Sequence, residues 1–545
     1  MARTTSLADI FRRDDAGRQE SLERKRAAAR ISIPWLYPAE EGDTLDPDQM
    51  PVPENFQSLM ARGCSNMASN LTLTTWPVSV PAFEFRPNVG ILESDEIPPE
   101  VKQEMIRLLH IRDIVIASAL ETGIRGPKDR PASRVKFRTT KYLSNLSLVV
   151  LGDSLTRMHD DFRWSQYRLE NYVTDRDDCG DVNYHIIRER KDLEFLPDKI
   201  LRDTFGLRRK DVMEMGDQER IRTMFTRVRW QPNTKKWVIE QEMELSETDR
   251  TIINTVEEQV SSWISSQWSL FPGDNYGRGF VELNIGDATA FDSLSLYMRE
   301  FAAMCSKMTP CVDGGSNVKP RDLEQPSGVP LMGTRVEGGK VMDVAFLTVD
   351  KTADFSVVAQ VYQALRRDLG ASMLIESEMQ PKQDRVTREQ ILSIRNELEK
   401  ATVGAMAANN DTDVEATIAR ADHVLVKKKI VGPLPKDAVE MRMLTGVAAL
   451  SQSVRRTKLE NFIRTAPLLG EAAIQYIDMP TALRTLARYD NIDEPGLVKT
   501  EKDIQRQTRD AVRTELARAA GEQAIATAGN LVEASAEAAM QPPAV

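Results

Sequence analysis

The stretch FDSLSLYMREFAAMCSKM, residues 291–308, carries apolar side chains that recur at steps of 3, 4, 3, 4 and 3 residues. They are Phe291, Leu294, Met298, Phe301, Cys305 and Met308. A second stretch, FSVVAQVYQALRRDL at residues 355–369, repeats the pattern at Phe355, Val358, Tyr362, Leu365 and Leu369. Stripes this narrow predict two helices that pack lengthwise against neighbouring helices. Spacing alone favours an ordinary helical hairpin core, because each stripe is shorter than the roughly three to four heptads of a true coiled coil.

The segment between the two stripes is rich in residues that break helices. Residues 309–340 contain six glycines, at 314, 315, 328, 333, 338 and 339, and four prolines, at 310, 320, 326 and 330. This density predicts a compact insertion or a mobile loop. A long excursion between two helices is usually functional.

The second stripe is followed by the polar stretch ESEMQPKQDR, residues 376–385, which predicts a flexible loop. Thr387 and Gln390 then form the S/T-x-x-E/Q capping box that marks the start of a further helix. Residues 445–540 have helical character again. They end in an alanine-rich tail, Ala517 to Ala539, which has few bulky apolar anchors.

The part of the chain before the stripes changes its pattern from helical to alternating. Helices are predicted over residues 6–30 and 55–73, after Pro98-Pro99, and in a segment that ends near Leu148. Between residues 163 and 270 apolar residues alternate, which predicts strands at 167–173, 182–187, 224–230 and 237–243 with a turn at 178–181. The fold class is therefore α+β, with an antiparallel β section between helical ones.

The size and charge of the chain limit its function. Its 545 residues are 41% hydrophobic and 28% charged, which predicts two to four globular regions. The net charge is −10, whereas proteins that grip nucleic acid through its phosphates usually carry the opposite sign. We expect that the protein either never meets nucleic acid or meets it without gripping it.

The cysteines and histidines indicate no disulfide framework or metal motif. The four cysteines show no CxxC spacing, and the four histidines lie far apart without an HExxH pair. The N-terminus lacks the apolar run of a signal peptide, and no stretch approaches the roughly 18 apolar residues of a membrane span. We expect a soluble protein in the cytoplasm of the cell that makes it.

Motifs of catalysis are weak or missing. Residues 333–341, GTRVEGGKV, approach a phosphate-binding loop, but the glycine spacing is off by one and Val341 replaces the Ser or Thr that would hold Mg²⁺. His159-Asp160-Asp161 is better interpreted as a polar turn than as a metal pair, and residues 427–429, KKK, as a solvated basic run rather than a surface facing DNA. No Gly-x-Ser-x-Gly elbow occurs. We therefore predict that the protein is not an enzyme and has no catalytic residue, metal or cofactor.

Several short motifs occur in one order along the chain. They are ARGCSNMASNL at 61–71 with Trp76-Pro77, GDNYGRG at 273–279, KTADF at 351–355 with DRVTREQI at 384–391, and LPKDAV at 434–439 with Thr445-Gly446. In this order, over roughly residues 20–520, they resemble the motifs of the head-to-tail connector (portal) proteins of podoviruses, the short-tailed bacteriophages. Segment 309–340 matches that family poorly.

The resemblance implies a portal fold with a fixed layout. Its parts would be a wing at 1–275, a first stem helix at 276–308, a clip at 309–350, a second stem helix at 351–375, a channel (tunnel) loop at 376–387, a long helix returning to the wing at 388–445, and a helical crown with the alanine-rich tail at 446–545.

The resemblance also implies a structural role in the virion. Portal subunits form a ring, typically a homododecamer, at one capsid vertex, and the genome passes through it during packaging and ejection. The implied partners are other copies of the chain, double-stranded DNA bound without sequence specificity, the packaging terminase, the tail adaptor, the major capsid and scaffolding proteins, and internal core proteins. The ring would be assembled in the host cytoplasm, and no membrane is involved.

The implied layout assigns roles to three groups of residues. Phe291, Leu294, Met298, Phe301, Phe355, Val358, Tyr362 and Leu365 would be packed faces of the stem helices, within and between subunits. Asp313, Gly314, Lys319, Arg321 and Arg335 in the clip would face the adaptor. In the channel loop, Lys382 and Arg385 would form two cationic rings, and Gln380 and Gln383 would offer hydrogen bonds to phosphates. The alternative for the channel loop is that Lys382 and Arg385 pair with Glu378 and Asp384.

Two other classes of protein compete with this interpretation. A packaging ATPase or nuclease needs a Walker motif or clustered acidic metal ligands, and the sequence has neither. A tail tube or a scaffold is another virion component, and a scaffold would lack the β section and the clip-like insertion.

Overall fold

A computed structural model describes residues 6–36, 58–77, 82–88, 98–124, 136–245, 250–306, 310–312, 315, 335–338, 340–342, 344–346, 352–373, 410–434, 438–444, 459–465, 482, 483 and 486. The chain divides into two units, residues 1–446 and 447–545. In the second unit, residues 459–465 form a helix. The elements named below belong to the first unit.

The structure describes twelve α-helices in the first unit. The α-helices are α1 (Leu7–Gly17), α2 (Gln19–Ile31), α3 (Ser58–Thr75), α4 (Pro99–Thr122), α5 (Phe137–Leu151), α6 (Asp198–Phe205), α7 (Arg209–Glu214), α8 (Asp217–Arg220), α9 (Phe280–Leu283), α10 (Ile285–Ser306), α11 (Thr352–Ser372) and α12 (Glu415–Lys427). A π-helical segment, Asn410–Val414, leads into α12.

The strands are 2 to 11 residues long and pair antiparallel. They are β1 (Phe83–Pro87), β2 (Asp153–Met158), β3 (Trp164–Tyr167), β4 (Tyr172–Arg176), β5 (Val182–Asp192), β6 (Ile221–Gln231), β7 (Lys236–Glu244), β8 (Arg250–Glu258), β9 (Trp263–Gln267), β10 (Pro310–Val312), β11 (Val336–Glu337), β12 (Lys340–Val341), β13 (Val344–Phe346) and β14 (Val439–Met443). The combination of helices with antiparallel sheets confirms the predicted α+β class.

The helix ends follow local sequence rules. Ser6 caps α1 with its side-chain oxygen, which accepts from the Ala8 N–H. Pro99 occupies the first turn of α4, where its missing N–H costs nothing. The helix expected to end near Leu148 continues through the apolar run to Leu151, and Gly152 stops it in the left-handed conformation with φ +82°.

The largest sheet has five strands in the order β4-β5-β6-β7-β8. One face packs on α1, where Leu7 and Phe11 meet Val173, Ile186 and Phe225. The other face contributes to the main core of the unit, which also contains residues of α3, α5, α10 and α11. The sheet therefore lies between an N-terminal helix and the helical part of the body.

The strand predicted at 167–173 is not continuous. β3 ends at Tyr167, a 3₁₀ turn spans Leu169–Asn171, and β4 starts at Tyr172. β3 pairs with β2 in a three-stranded sheet of order β3-β2-β9, whereas β4 pairs with β5 in the five-stranded sheet. The turn, with Leu169 buried beneath it, moves the chain from one sheet to the other.

A second core joins distant parts of the chain. It packs α4 and strand β1 against α12, and β1 pairs with β14 from residue 83 opposite 443 to residue 87 opposite 439. Among the described residues, no helix is long and apolar enough to cross a membrane.

Candidate functional site

Two aromatic pairs join helices α10 and α11. The rings of Phe291 and Tyr362 stack with centroids 4.8 Å apart, and those of Phe301 and Phe355 stack at 4.8 Å. Later residues of α10 therefore meet earlier residues of α11, so the two helices are antiparallel. We call this pair the hairpin.

The seam of the hairpin is formed by the two predicted stripes. Leu294, Met298 and Phe301 on α10 are half-buried, as are Phe355, Val358, Tyr362 and Leu365 on α11. Phe291, Leu369 and Met373 are buried in the main core. The hairpin is thus rooted in the body at the end that holds Phe291 and Leu369 and stands out from it at the other. Met308 lies outside the described residues.

The motif GDNYGRG, residues 273–279, connects the body to α9 and α10. Gly152 and Gly277 lie back to back, and a Cβ atom on either would lie 2.5 Å from the carbonyl oxygen of the other. A Cβ atom on Gly279 would lie 2.6 Å from the Val150 oxygen. Only glycine permits this approach of two backbones. The glycines therefore place the start of α9 and α10 directly against the end of α5.

A buried ion pair locks the same connection. Lys25 of α2 is 1% exposed, and its Nζ donates to Asp153 Oδ2 at 2.8 Å, to the Gly277 oxygen at 2.6 Å and to the Leu151 oxygen. Asp153 in turn accepts from the Gly277 N–H at 3.1 Å. The lysine charge and its donors are thereby satisfied inside the protein, which is what allows them to be buried. We call Lys25, Asp153, Gly152, Gly277 and Gly279 the joint.

Tyr276 of the same motif reaches into the five-stranded sheet. Its hydroxyl accepts from the Thr174 N–H at 3.0 Å, and the guanidinium of Arg18 lies 5.4 Å from its ring centroid. Burial raises the pKa of Tyr276, although the charge of Arg18 opposes the shift. The phenol is therefore neutral in the fold and acts as a hydrogen-bonding anchor.

The end of α11 is anchored by a different motif. Met373 lies directly over Gly63 of the ARGCSNMASNL helix α3, in the space where any side chain at 63 would stand. Met60, Cys64 and Met67 of α3 and Met373 belong to one core cluster. Burial raises the pKa of the Cys64 thiol to about 12. Both helices of the hairpin are therefore held by motif residues of the body.

The outer end of the hairpin leads into the segment predicted as the clip. Its described parts are two small antiparallel ladders, β10 with β13 and β11 with β12. Arg335 is exposed and pairs with Glu337 at 2.7 Å. The other predicted adaptor-facing residues, Asp313, Gly314, Lys319 and Arg321, lie outside the described residues.

The predicted channel loop lies outside the part of the chain that the structure describes. Gln380, Lys382, Gln383 and Arg385 all lie outside the described residues, as does the capping box at Thr387. The chain is described again from the π-helical segment at Asn410–Val414.

The π-helical segment is fastened to α5 by a second buried lysine. Lys141 is 1% exposed; its Nζ lies 2.6 Å from Asp413 Oδ1, donates to Thr417 at 2.9 Å and lies 4.4 Å from the Trp164 ring centroid. Burial lowers the pKa of Lys141, and the Asp413 carboxylate opposes that shift.

The polar turn at His159-Asp160-Asp161 and the basic run at 427–429 meet each other. Asp160 accepts from the buried Arg420 at 2.6 Å and from Lys427 at 2.8 Å. Partial burial acts to raise the pKa of Asp160, but the bond from Lys427 and the charge of Arg420 outweigh it, and the pKa is lowered. These residues thus form a structural contact between α12 and the β2–β3 turn.

The sequence does not predict the joint, although two of its glycines belong to the motif GDNYGRG. The glycines at 277 and 279 were noted only as part of a motif, and their close approach to Gly152 needs the fold. Nothing in the sequence indicates that Lys25 is buried, because a lysine in the run ERKRAAAR is typical of a solvated helix face.

Comparison with known proteins gives a match over most of the chain. Residues 4–498 match the family model described as bacteriophage head to tail connecting protein. The portal protein of Escherichia phage T7 is 24% identical over 499 residues, covering 88% of this chain and 86% of that protein. The portal protein of Enterobacteria phage T3 is 24% identical over 519 residues, covering 91% and 89%. That of Pseudomonas phage phiKMV is 22% identical over 520 residues, covering 90% and 91%.

Two solved structures have lower similarity. A chain from the neck of an empty gene transfer agent (GTA) particle is 10% identical with a TM-score of 0.38, covering 79% of this chain and 90% of that one. A chain from the virion of a native GTA particle is 9% identical with a TM-score of 0.39, covering 86% and 93%.

Proposed function

Because this chain belongs to the bacteriophage head-to-tail connecting protein family, we propose that it is the portal subunit of a short-tailed phage and forms the ring through which the genome enters and leaves the capsid. The observation that carries this proposal is the family match over residues 4–498, which spans both the body and the hairpin. The geometry supports it, since motif residues of the resemblance fix both helices of the hairpin to the body at its inner end.

We propose that the hairpin is the stem of the portal. A stem that lines a DNA channel has to stay rigid while the duplex slides past it. The aromatic stacks along the seam and the buried ion pair at the joint supply that rigidity. In this layout the sheet-containing body is the wing, residues 309–350 are the clip, 376–387 the channel loop and 446–545 the crown.

Charge explains how DNA would pass without sticking. Each subunit carries a net charge of −10, and duplex DNA carries one negative charge per roughly 1.7 Å of its axis. An acidic ring repels the duplex, so that any contact must come from a few local cations such as Lys382 and Arg385. The non-enzymatic role fits this picture, because the work of translocation belongs to a separate terminase that docks on the ring. The virion is the proposed location, with assembly in the host cytoplasm.

Electron microscopy of the purified protein tests the proposal. We expect negative-stain images to show turbine-shaped rings with a central hole, and a phage that lacks this protein to regain filled heads when it is supplied. A chain that stays monomeric at every concentration and never enters capsids would overturn the portal assignment.

The clip assignment has its own test. Deleting residues 313–338 should leave ring formation intact, because the deletion removes no residue of α10, which ends at Ser306, or of α11, which starts at Thr352. It should abolish binding of the tail adaptor. Rings in the micrographs serve as the internal control for folding. A deletion variant that still takes up the adaptor and the tail would show that the clip lies elsewhere.

A further inference from the structure

One side of the hairpin carries apolar side chains that are exposed in the part of the chain that the structure describes. Tyr297 on α10 is 60% exposed, and Val357 and Val361 on α11 are 59% and 47% exposed. Tyr297 directly precedes the seam residue Met298, and Val361 directly precedes the seam residue Tyr362. The seams of the two antiparallel helices face each other. In this arrangement the residues one position before a seam residue lie on the same side of the hairpin in both helices.

The aromatic stacks also fix the level of these residues along the hairpin. Phe291 lies opposite Tyr362 and Phe301 opposite Phe355, so Tyr297 lies at the level of Val357. Val361 follows Val357 by one helical turn. Tyr297, Val357 and Val361 therefore form one patch, which we call the apolar face. It is bordered by the exposed carboxylates of Glu300 and Asp368.

The opposite side of the hairpin has a different character. Ser295 and Ala359, which follow the seam positions Leu294 and Val358, are small and half-buried. Beyond them stand the exposed side chains of Arg299, Gln363 and Arg366. One half-buried carboxylate, Asp292, follows the seam residue Phe291 on the same side, at the end of the hairpin near the body. We call this the basic face. It offers a shallow surface of small residues with cations at its edge.

We propose that the apolar face of one subunit packs on the basic face of the next copy of the chain, and that this contact closes the ring. The proposal rests on the portal function and names the residues that would assemble it. A single exposed apolar residue needs no explanation, but a contiguous patch marks an interaction surface. The two faces complement each other, because large apolar groups with bordering carboxylates meet small groups with bordering guanidiniums.

Because the two faces differ, the contact joins unlike surfaces of two copies, which is a head-to-tail arrangement. If the apolar face packed on itself, the same patch would be used by both partners and the assembly would stop at a dimer. A contact between two different faces leaves one face of each kind free at every step, and such a chain of subunits ends only by closing on itself. The contact is therefore of the kind that a ring requires.

A pair of adjacent substitutions tests the apolar face. Val361→Lys places a charge in the proposed contact, whereas Gln360→Lys places the same charge one residue earlier, on the exposed back of the same helix. We expect Val361→Lys to remain folded but to lose rings, measured by sedimentation and negative-stain images, and Gln360→Lys to form rings in normal yield. Normal rings from Val361→Lys would overturn the proposal.

Crosslinking tests which faces meet. In a background with serine at Cys179, Cys305 and Cys311, Val361→Cys and Gln363→Cys are combined and treated with a short bismaleimide. The two positions lie on opposite sides of one helix, so they cannot be joined within a subunit. We expect a ladder of covalent oligomers up to ring size from the double variant and only monomers from each single variant. Dimers from Val361→Cys alone would show that the apolar face packs on itself.

The outcomes separate this inference from the portal function. Rings in the micrographs without a crosslinked ladder would reject the proposed faces and leave the portal assignment in place. If the unmodified protein formed no rings at all, the portal assignment itself would be wrong.

Discussion

At the scale of single residues, Lys25 is a position where one substitution should strongly destabilise the subunit. Its ammonium group is buried and neutralises Asp153, which is 5% exposed. Lys25→Met removes the charge and leaves the Asp153 carboxylate buried with only the Gly277 N–H to support it. We expect the free energy of unfolding to fall by about 3–5 kcal/mol, measured by urea denaturation of the isolated subunit.

A surface pair gives the matched control. Lys236 and Glu257 lie 2.7 Å apart with side chains 41% and 49% exposed. Lys236→Met should cost less than about 1 kcal/mol, because exposed ion pairs contribute little. Adding Asp153→Asn to Lys25→Met should recover part of the loss, since the amide still accepts from Gly277 without a charge. Equal small effects of Lys25→Met and Lys236→Met would contradict the importance of the joint.

A second residue whose substitution should be informative is His185, which is buried on strand β5 opposite Thr174 of the edge strand β4. Its ring lies 2.9 Å from the Thr174 hydroxyl, and burial, together with the charge of Arg176, lowers its pKa to about 3. The unfolded histidine titrates near ~6.5. As the pH falls from about 6.5 towards 3, the unfolded chain takes up a proton that the fold excludes, so stability decreases by up to ~1.4 kcal/mol per pH unit.

The measurement is the urea midpoint between pH 7 and pH 4 for the unmodified chain and for His185→Gln. We expect the variant to be less stable at neutral pH but to depend less steeply on pH. Part of the dependence will remain, because burial also lowers the pKa of His159 to about 4. An unchanged slope in His185→Gln would rule out the proposed contribution of His185.

At the scale of elements, the joint depends on glycines that let two backbones meet. Gly279→Ala would place a Cβ atom 2.6 Å from the Val150 oxygen and 2.9 Å from the Gly152 nitrogen. Backbone atoms cannot yield as a flexible side chain can, so we expect a loss of about 1–3 kcal/mol or more and a lower yield of rings. Thermal unfolding measures the loss of stability, and counting rings in negative-stain images measures their yield.

Gly286, the second residue of the neighbouring helix α10, is the control for this change. A Cβ atom there would meet nothing within 4 Å. Gly286→Ala should therefore be neutral or stabilise the subunit by about 0.4–1 kcal/mol, because it restricts the unfolded chain. If Gly279→Ala behaved like Gly286→Ala, the close approach of α5 and the start of α9 would have no structural consequence.

The elements also show what the sequence could predict. The seam of the hairpin was predictable residue by residue, since a step of three and four residues is a direct consequence of helical geometry. The change of sheet at Leu169–Asn171 was not, because the apolar alternation runs on through it and only pairing with different neighbours reveals the break. The buried lysines at 25 and 141 were equally hidden, because their partners lie 128 and 272 residues away.

At the scale of the whole molecule, the proposed portal function raises the question of how an acidic ring would retain DNA. The net charge of −10 per subunit opposes binding, and screening at physiological salt confines any attraction to within about 8 Å. Retention therefore needs cations that project towards the duplex. Among the described cations of α12, Lys427 is paired with Asp160, and the proposed source of free cations is the channel loop.

The last prediction follows from that charge argument. Replacing both Lys382 and Arg385 with alanine removes two cations from each subunit, and around a ring this deletes two cationic bands. We expect rings to assemble normally while the fraction of DNA-filled heads falls several-fold, because packaged DNA slips back. The difference from the unmodified chain should shrink as ionic strength rises, since salt also screens the contact that Lys382 and Arg385 would make in the unmodified ring. Counting filled heads by electron microscopy measures it.

The control must remove the same charge from another place. Lys428→Ala with Lys429→Ala also deletes two cations per subunit, but from the exposed end of α12 beside the β2–β3 turn. Both double variants shift the net charge from −10 to −12, since −10 − 2 = −12, so a general effect of charge would impair packaging equally in both. A defect confined to the Lys382 and Arg385 variant would locate the DNA contact in the channel loop, whereas normal filled heads from that variant would mean that these side chains pair with Glu378 and Asp384 instead.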